Sequence, residues 1–165
     1  MKIRTIGAVA ALALSLTACG GGDDEQASKA LSDSIMESND QTFEVTREQA
    51  DCLGDGMVEE IGTDQLVEYG IITEELEAAD GIEGVEMSQA DAESAADVMS
   101  GCADIKELFT GAMGDNIPAE AQACIDENLT DEVLNKFLVA VFQNDMESGQ
   151  QEMITALGEC IQPGS

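Results

Sequence analysis

The side chains able to do chemistry in this chain are five cysteines and 35 carboxylates, with no histidine and no tryptophan. The cysteines stand at 19, 52, 102, 124 and 160. Without histidine there is no Ser–His or Cys–His pair to activate a nucleophile. No G-x-S-x-G, Walker or G-x-G-x-x-G motif occurs either. A glycosidase-type carboxylate pair works in a cleft lined by aromatic and hydrogen-bonding groups, and the whole chain holds one Tyr and four Phe. The inventory therefore argues against an enzyme and implies no cofactor.

Metal chemistry fares little better. The last four cysteines are spaced by 50, 22 and 36 residues, with no C-x2-C pair and no histidine to complete a zinc site. Asp51–Gly56 offers Asp51, Asp55 and Gly56 to a calcium loop, but Leu53 occupies the third ligand position of an EF-hand. Asp145–Gly149 departs from that pattern as well, and both stretches read better as helix-cap and turn residues. The methionines show no M-x-M clustering and suit core packing. No metal site is expected.

The N-terminus is more specific. Lys2 and Arg4 precede an apolar run from Ile6 to Leu16, which closes on Leu16-Thr17-Ala18-Cys19. This is the layout of an export signal. Its apolar run is too short for a bilayer core of ~30 Å, which needs about 20 residues. The four-residue ending resembles the lipobox of bacterial lipoproteins. That resemblance implies a signal peptide over 1–18, a diacylglycerol thioether on Cys19, cleavage before it, and anchoring to the extracytoplasmic face of the cell membrane. An ordinary signal peptide with a bystander cysteine is the competing reading.

Loss of residues 1–18 leaves 35 acidic residues against four basic ones, Lys29, Arg47, Lys106 and Lys136, a formal charge of −31. Such a surface repels nucleic acid, whose phosphates need Lys/Arg patches. It also disfavours electrostatic docking on anionic lipid. An apolar fraction of 44% is still enough for a core, so the acidity does not imply disorder. With Cys19 lipidated, Cys52, Cys102, Cys124 and Cys160 remain. Four cysteines in an exported chain read as two disulfides with three available connectivities.

Residues 19–42 pass from Cys19 straight into glycines and repelling acids and are expected to form a flexible tether, with at most a turn or two of amphipathic helix around Ala27, Ala30, Leu31, Ser34 and Ile35. An all-helical domain should follow over 43–165. Thr46 and Gln49 form a capping box for a helix over 47–61, stopped by Gly62. A short helix carrying Leu66, Val67 and Tyr69 ends at Gly70. Another short acidic helix is expected after Ile71-Ile72-Thr73, through Leu76 and Ala79, before a loop at 80–84. Ser88 caps a helix over 89–100 with Ala92, Ala95, Ala96 and Met99 inward. Further helices are expected at 103–113, stopped by Gly114, and after Pro118 with Ala119, Ala123, Cys124 and Ile125 inward. The helix from Thr130 to Phe142 is the most apolar and should be central. The last helix is expected over 149–160, capped from Ser148, with Pro163-Gly164 ending the chain. No stretch sustains period-two alternation. The fold class is all-α, six or seven short helices in one disulfide-stapled domain.

Two segments read alike at an offset of 72 residues, as an internal repeat or a chance similarity of acidic amphipathic helices would make them. Glu48, Cys52, Glu60, Leu66 and Val67 recur as Glu120, Cys124, Glu132, Leu138 and Val139, where about one or two identities would arise by chance in such a window. If two similar helical halves exist, Cys52–Cys102 and Cys124–Cys160 are the natural pairs, one in each. Lipobox, acidic Gly-rich segment and repeated Cys-helix pattern together resemble the small, cysteine-paired lipoproteins common in actinobacteria. That resemblance carries no activity with it. The expectation is a membrane-anchored interaction module for an envelope protein, or alternatively a small carrier holding lipid or another apolar ligand between its halves.

Overall fold

The computed structural model describes residues 21–38, 45–79, 84–113 and 118–161. Among these residues the chain forms eight helices: α1 (Gly21–Glu37), α2 (Arg47–Ile61), α3 (Thr63–Glu68), α4 (Gln89–Cys102), α5 (Ile105–Met113), α6 (Ala119–Asn128), α7 (Asp131–Phe142) and α8 (Met146–Ile161). The fold is all-α, with one isolated antiparallel bridge between Ile72 and Ala78. The expected signal peptide, Cys19, Gly114 and Pro163-Gly164 lie outside the described residues.

Local chemistry sets most boundaries where the sequence places them. The Thr46 hydroxyl accepts from Gln49 N, and the Gln49 side chain accepts from Thr46 N at 2.9 Å. Each satisfies a donor that the start of a helix would otherwise leave unpaired. Gly62 ends α2 at φ 91°, a left-handed value that glycine adopts without the penalty a β-carbon brings. Ser88 and Thr130 cap α4 and α7 by accepting from Asp91 N and Val133 N.

The helices pack in the order α1–α2–α4–α7–α8–α6. Two cores result. The larger gathers Ala27 and Leu31 of α1, Leu66 of α3, Ile71, Ile72, Val85 and Met87, the alanines Ala92, Ala95 and Ala96 of α4, and Leu138 and Phe142 of α7. The smaller holds Ile125, Leu129, Leu134, Leu157 and Cys160. Helix α7 thus serves both, with Leu134 facing one core and Leu138 and Phe142 the other, as its apolar composition requires. Burial of each such side chain contributes about 1.5–3 kcal/mol. Met87 N donates to Phe142 O at 2.9 Å, and Asn135 Nδ2 donates to Asp97 Oδ1 at 2.9 Å. These polar ties fasten α4 and the segment before it to α7.

Four local expectations are corrected. Residues 21–37, expected within a tether, form helix α1. Its small residues Ala27, Ser28 and Ser32 and its Leu31 are buried, and small side chains let it lie close along α2. Residues 73–79 are not helical: Ile72 pairs with Ala78, Thr73 N donates to Glu77 O at 2.8 Å, and Leu76 sits at φ 60°. Helix α6 turns Ile125 inward while Ala119 and Ala123 stay exposed. Helix α8 begins at Met146, not 149, because Asp145 is its first-turn acceptor, taking bonds from Ser148 N at 3.1 Å and Ser148 Oγ at 2.6 Å. Gly149 is instead buried, where a β-carbon would lie 3.3 Å from Ala140 Cβ and from the Phe137 ring.

Candidate functional site

The four cysteines described are all consumed in disulfides, Cys52–Cys102 and Cys124–Cys160, with Cα separations of 5.6 and 5.5 Å. These are the pairs the repeat suggests. Cys52 is the sixth residue of α2 and Cys124 the sixth of α6, while Cys102 and Cys160 lie at the ends of α4 and α8. The residues following the first cysteine of each pair, Leu53 and Ile125, are both buried, as are the repeat-related Leu66 and Leu138. No thiol among the described residues is left for nucleophilic or redox chemistry.

The carboxylates do not converge. Among the described residues no three acidic or cysteine side chains are grouped to hold a metal ion. Asp51–Gly56 lies wholly within α2, so it cannot wrap a cation as a loop does. Asp55 accepts from the Ser28 hydroxyl. In the same stretch, Gly54 and Gly56 serve close approach of α2 to α1 and to Val98 of α4.

The four basic residues of the domain are all engaged locally. Lys29 and Arg47 both pair with Asp33, Arg47 also reaches Asp51 at 3.6 Å, Lys136 pairs with Glu132 at 2.9 Å, and Lys106 Nζ donates to Asp126 O at 2.5 Å. Hydrogen bonds from Lys29 and Arg47 hold the Asp33 carboxyl below the usual carboxylate range. Lys136 does the same for Glu132, and Ser148 for Asp145. The Lys29, Arg47 and Lys136 contacts are surface ion pairs of small energetic weight. With the Lys106 bond to a backbone carbonyl, they engage the four basic side chains away from the two clefts described, except that Lys106 borders the first.

That first cleft, ≈ 500 Å³, lies between the Ser100–Lys106 turn and Asp131 and Leu134 of α7. The second, ≈ 810 Å³, lies at the N-terminal end of α1. Its walls are the start of α1, the α2–α3 junction and the 73–79 loop. Ile61, Val67 and Leu76 give it an apolar floor, and Asp23, Asp24, Asp64 and Glu74 stand around it. Thr63 Oγ donates to Asp24 Oδ1 at 2.7 Å, and Gln26 Nε2 donates to Glu75 O at 3.2 Å. These bonds tie α1 to both other walls. The left-handed Leu76 turns its half-buried side chain onto the larger core, a conformation that costs a branched residue about 1 kcal/mol or more and needs surrounding structure to hold it.

Sequence reasoning missed this cleft because two of its three walls were misassigned, one as tether and one as helix. A usable signal was present: Ala27, Ala30, Leu31, Ser34 and Ile35 already carry spacings of three and four.

No family model, curated protein or solved structure matches this chain.

Proposed function

We propose that the protein is a lipid-anchored interaction module on the extracytoplasmic face of the cell membrane, held by Cys19. The observation that carries the reading is the Leu16-Thr17-Ala18-Cys19 motif, closing an apolar run in a chain whose four remaining cysteines are paired. Disulfides persist in oxidising compartments, and pairing of those four removes every thiol but the one the motif assigns to lipid. Two acyl chains provide the two anchoring signals that stable attachment needs. Among the described residues no helix is long and apolar enough to cross a membrane. On this reading the module runs no reaction and needs no cofactor. It meets an envelope protein through its acidic surface and excludes nucleic acid.

The alternative, a carrier of lipid or another apolar ligand between the halves, has less behind it. Both clefts described are open and bordered by charged side chains, whereas apolar ligands are held in concave sites that bury most of their surface.

A Cys19→Ser variant tests the reading. We expect it to leave the membrane fraction with its other four cysteines still oxidised. Persistence in the membrane at unchanged mass would overturn the anchor. For the module itself, cross-linking in the native envelope should join it to a protein. Recovery of a retained apolar small molecule by native mass spectrometry would favour the carrier.

A further inference from the structure

We propose that the cleft at the start of α1 takes a cationic amphipathic peptide segment of a partner protein, presented close to the bilayer. This deepens the interaction-module reading and rests on it.

The chemistry of the cleft selects its occupant. Ile61, Val67 and Leu76 are half-buried and form a floor that can cover apolar side chains, while Asp23, Asp64 and Glu74 are exposed around it. No lysine or arginine lines the cleft, and the basic residues of the domain bond elsewhere. The rim charges are therefore uncompensated within the molecule. An anionic or neutral apolar ligand would leave them so. A segment with Lys or Arg on one face and aliphatic residues on the other satisfies rim and floor together, as an amphipathic helix does in an apolar groove.

The walls are also braced before any ligand arrives. The Asp24–Thr63 and Gln26–Glu75 bonds fix α1 against α3 and against the loop, so little ordering cost falls on the cleft when it is filled.

Position narrows the partner further. Helix α1 begins at Gly21, two residues beyond Cys19. Two extended residues span about 7 Å, and each helical residue adds about 1.5 Å. Asp23 thus stands within roughly 10 Å of the residue assigned to lipid. A cleft held there is within reach of segments that flank a membrane anchor on another protein.

The test is a binding titration of the full-length protein with a fluorescein-labelled 14-residue Leu/Lys amphipathic peptide, followed by anisotropy at physiological salt. Saturable binding is expected. Replacing Asp23→Asn, Asp64→Asn and Glu74→Gln together should weaken it at least tenfold. A control with the same charge change on the α6–α8 side, Glu120→Gln, Glu127→Gln and Glu159→Gln, should weaken it less than twofold. A peptide of equal charge with Ser for Leu should bind at least tenfold more weakly. Glu74→Lys alone lies outside any helix and keeps the test alive should the triple variant unfold; it should lose at least threefold. Equal losses in cleft and control variants would show diffuse attraction to an acidic surface and overturn the proposal. Equal binding of the Ser peptide, or no saturable binding, would overturn it too. Any of these failures leaves the Cys19→Ser and cross-linking results standing, so the cleft and the wider reading fail separately.

Discussion

Gly54 lies so close to Ser28 that a β-carbon on it would sit 2.5 Å from the Ser28 carbonyl oxygen, and equally 2.5 Å from Ser32 Oγ. Ser32 Oγ is itself buried, 3.0 Å from Ser28 O and 3.1 Å from Ala50 O, its one hydrogen shared between them. This contact holds α1 to the domain. Gly54→Ala should lower stability by about 2 kcal/mol, since the atoms it would meet are backbone and a buried hydroxyl that cannot step aside. Gly101→Ala, in α4 with nothing within 4 Å of the new atom, should be neutral or gain about 0.5 kcal/mol. Thermal and urea melts of the two variants check the contrast. A harmless Gly54→Ala would mean that α1 does not pack here.

Each disulfide closes a long loop, with sequence separations of 50 and 36 residues. Chain-entropy reasoning gives about 4 kcal/mol for either. Cys52→Ala/Cys102→Ala and Cys124→Ala/Cys160→Ala should each fall in stability by an amount of that order, and peptide mapping without reduction should recover these two pairs. A Cys52–Cys124 or Cys52–Cys160 peptide would refute the pairing.

Tyr69, the single tyrosine of the chain, joins α3 to the start of α4. Its hydroxyl accepts from Ser88 N at 3.0 Å and donates to Asp91 Oδ2 at 2.5 Å, while Ser88 Oγ donates to the same carboxylate oxygen at 2.8 Å. Tyr69→Phe keeps the ring and loses the bridge. A loss of about 1 kcal/mol is expected in denaturant melts, with the greatest gain in amide exchange at the first turn of α4.

Charge sets the response to salt and acid. The excess of carboxylates opposes compaction, so the melting temperature at pH 7 should rise as sodium chloride is raised from about 0.02 to about 0.5 M, where screening shortens to a few ångströms. Asp33 adds an acid-side signature. Its carboxyl is held below its ordinary value of 3.8 by Lys29 and Arg47, so its charged form is favoured in the folded state. That contribution is present above about pH 4 and disappears as pH falls through the lowered folded value. Asp33→Asn should therefore melt below the native protein at pH 7, with the gap closing under pH 4. A gap unchanged at low pH would show that the ion pairs are not its source.

Legibility from sequence followed the range of the forces involved. The Thr46–Gln49 box, the Gly62 stop and the Ser88 and Thr130 caps depend on atoms within a few residues, and the periodicity of α2, α4 and α7 follows from which faces are apolar. These were readable, as was the all-α class. The disulfide pairing came from the likeness between the Cys52 and Cys124 helices, a long-range relation that shows in the sequence only through that similarity.

By itself, then, the sequence determined helical class, most caps, the apolar centrality of α7 and the carboxylate excess, because each follows from local bonding or simple composition. Only the tertiary structure decided that 21–37 is a helix and 73–79 is not. The first gains its stability from Ala27 and Leu31 entering the larger core and from Ser28 and Ser32 meeting Gly54, contacts that exist only once α2 lies alongside it. The second yields helix formation to the Ile72–Ala78 bridge and the burial of Ile71 and Ile72. The acidic cleft exists because those two segments come together, so it could not be read from either one alone.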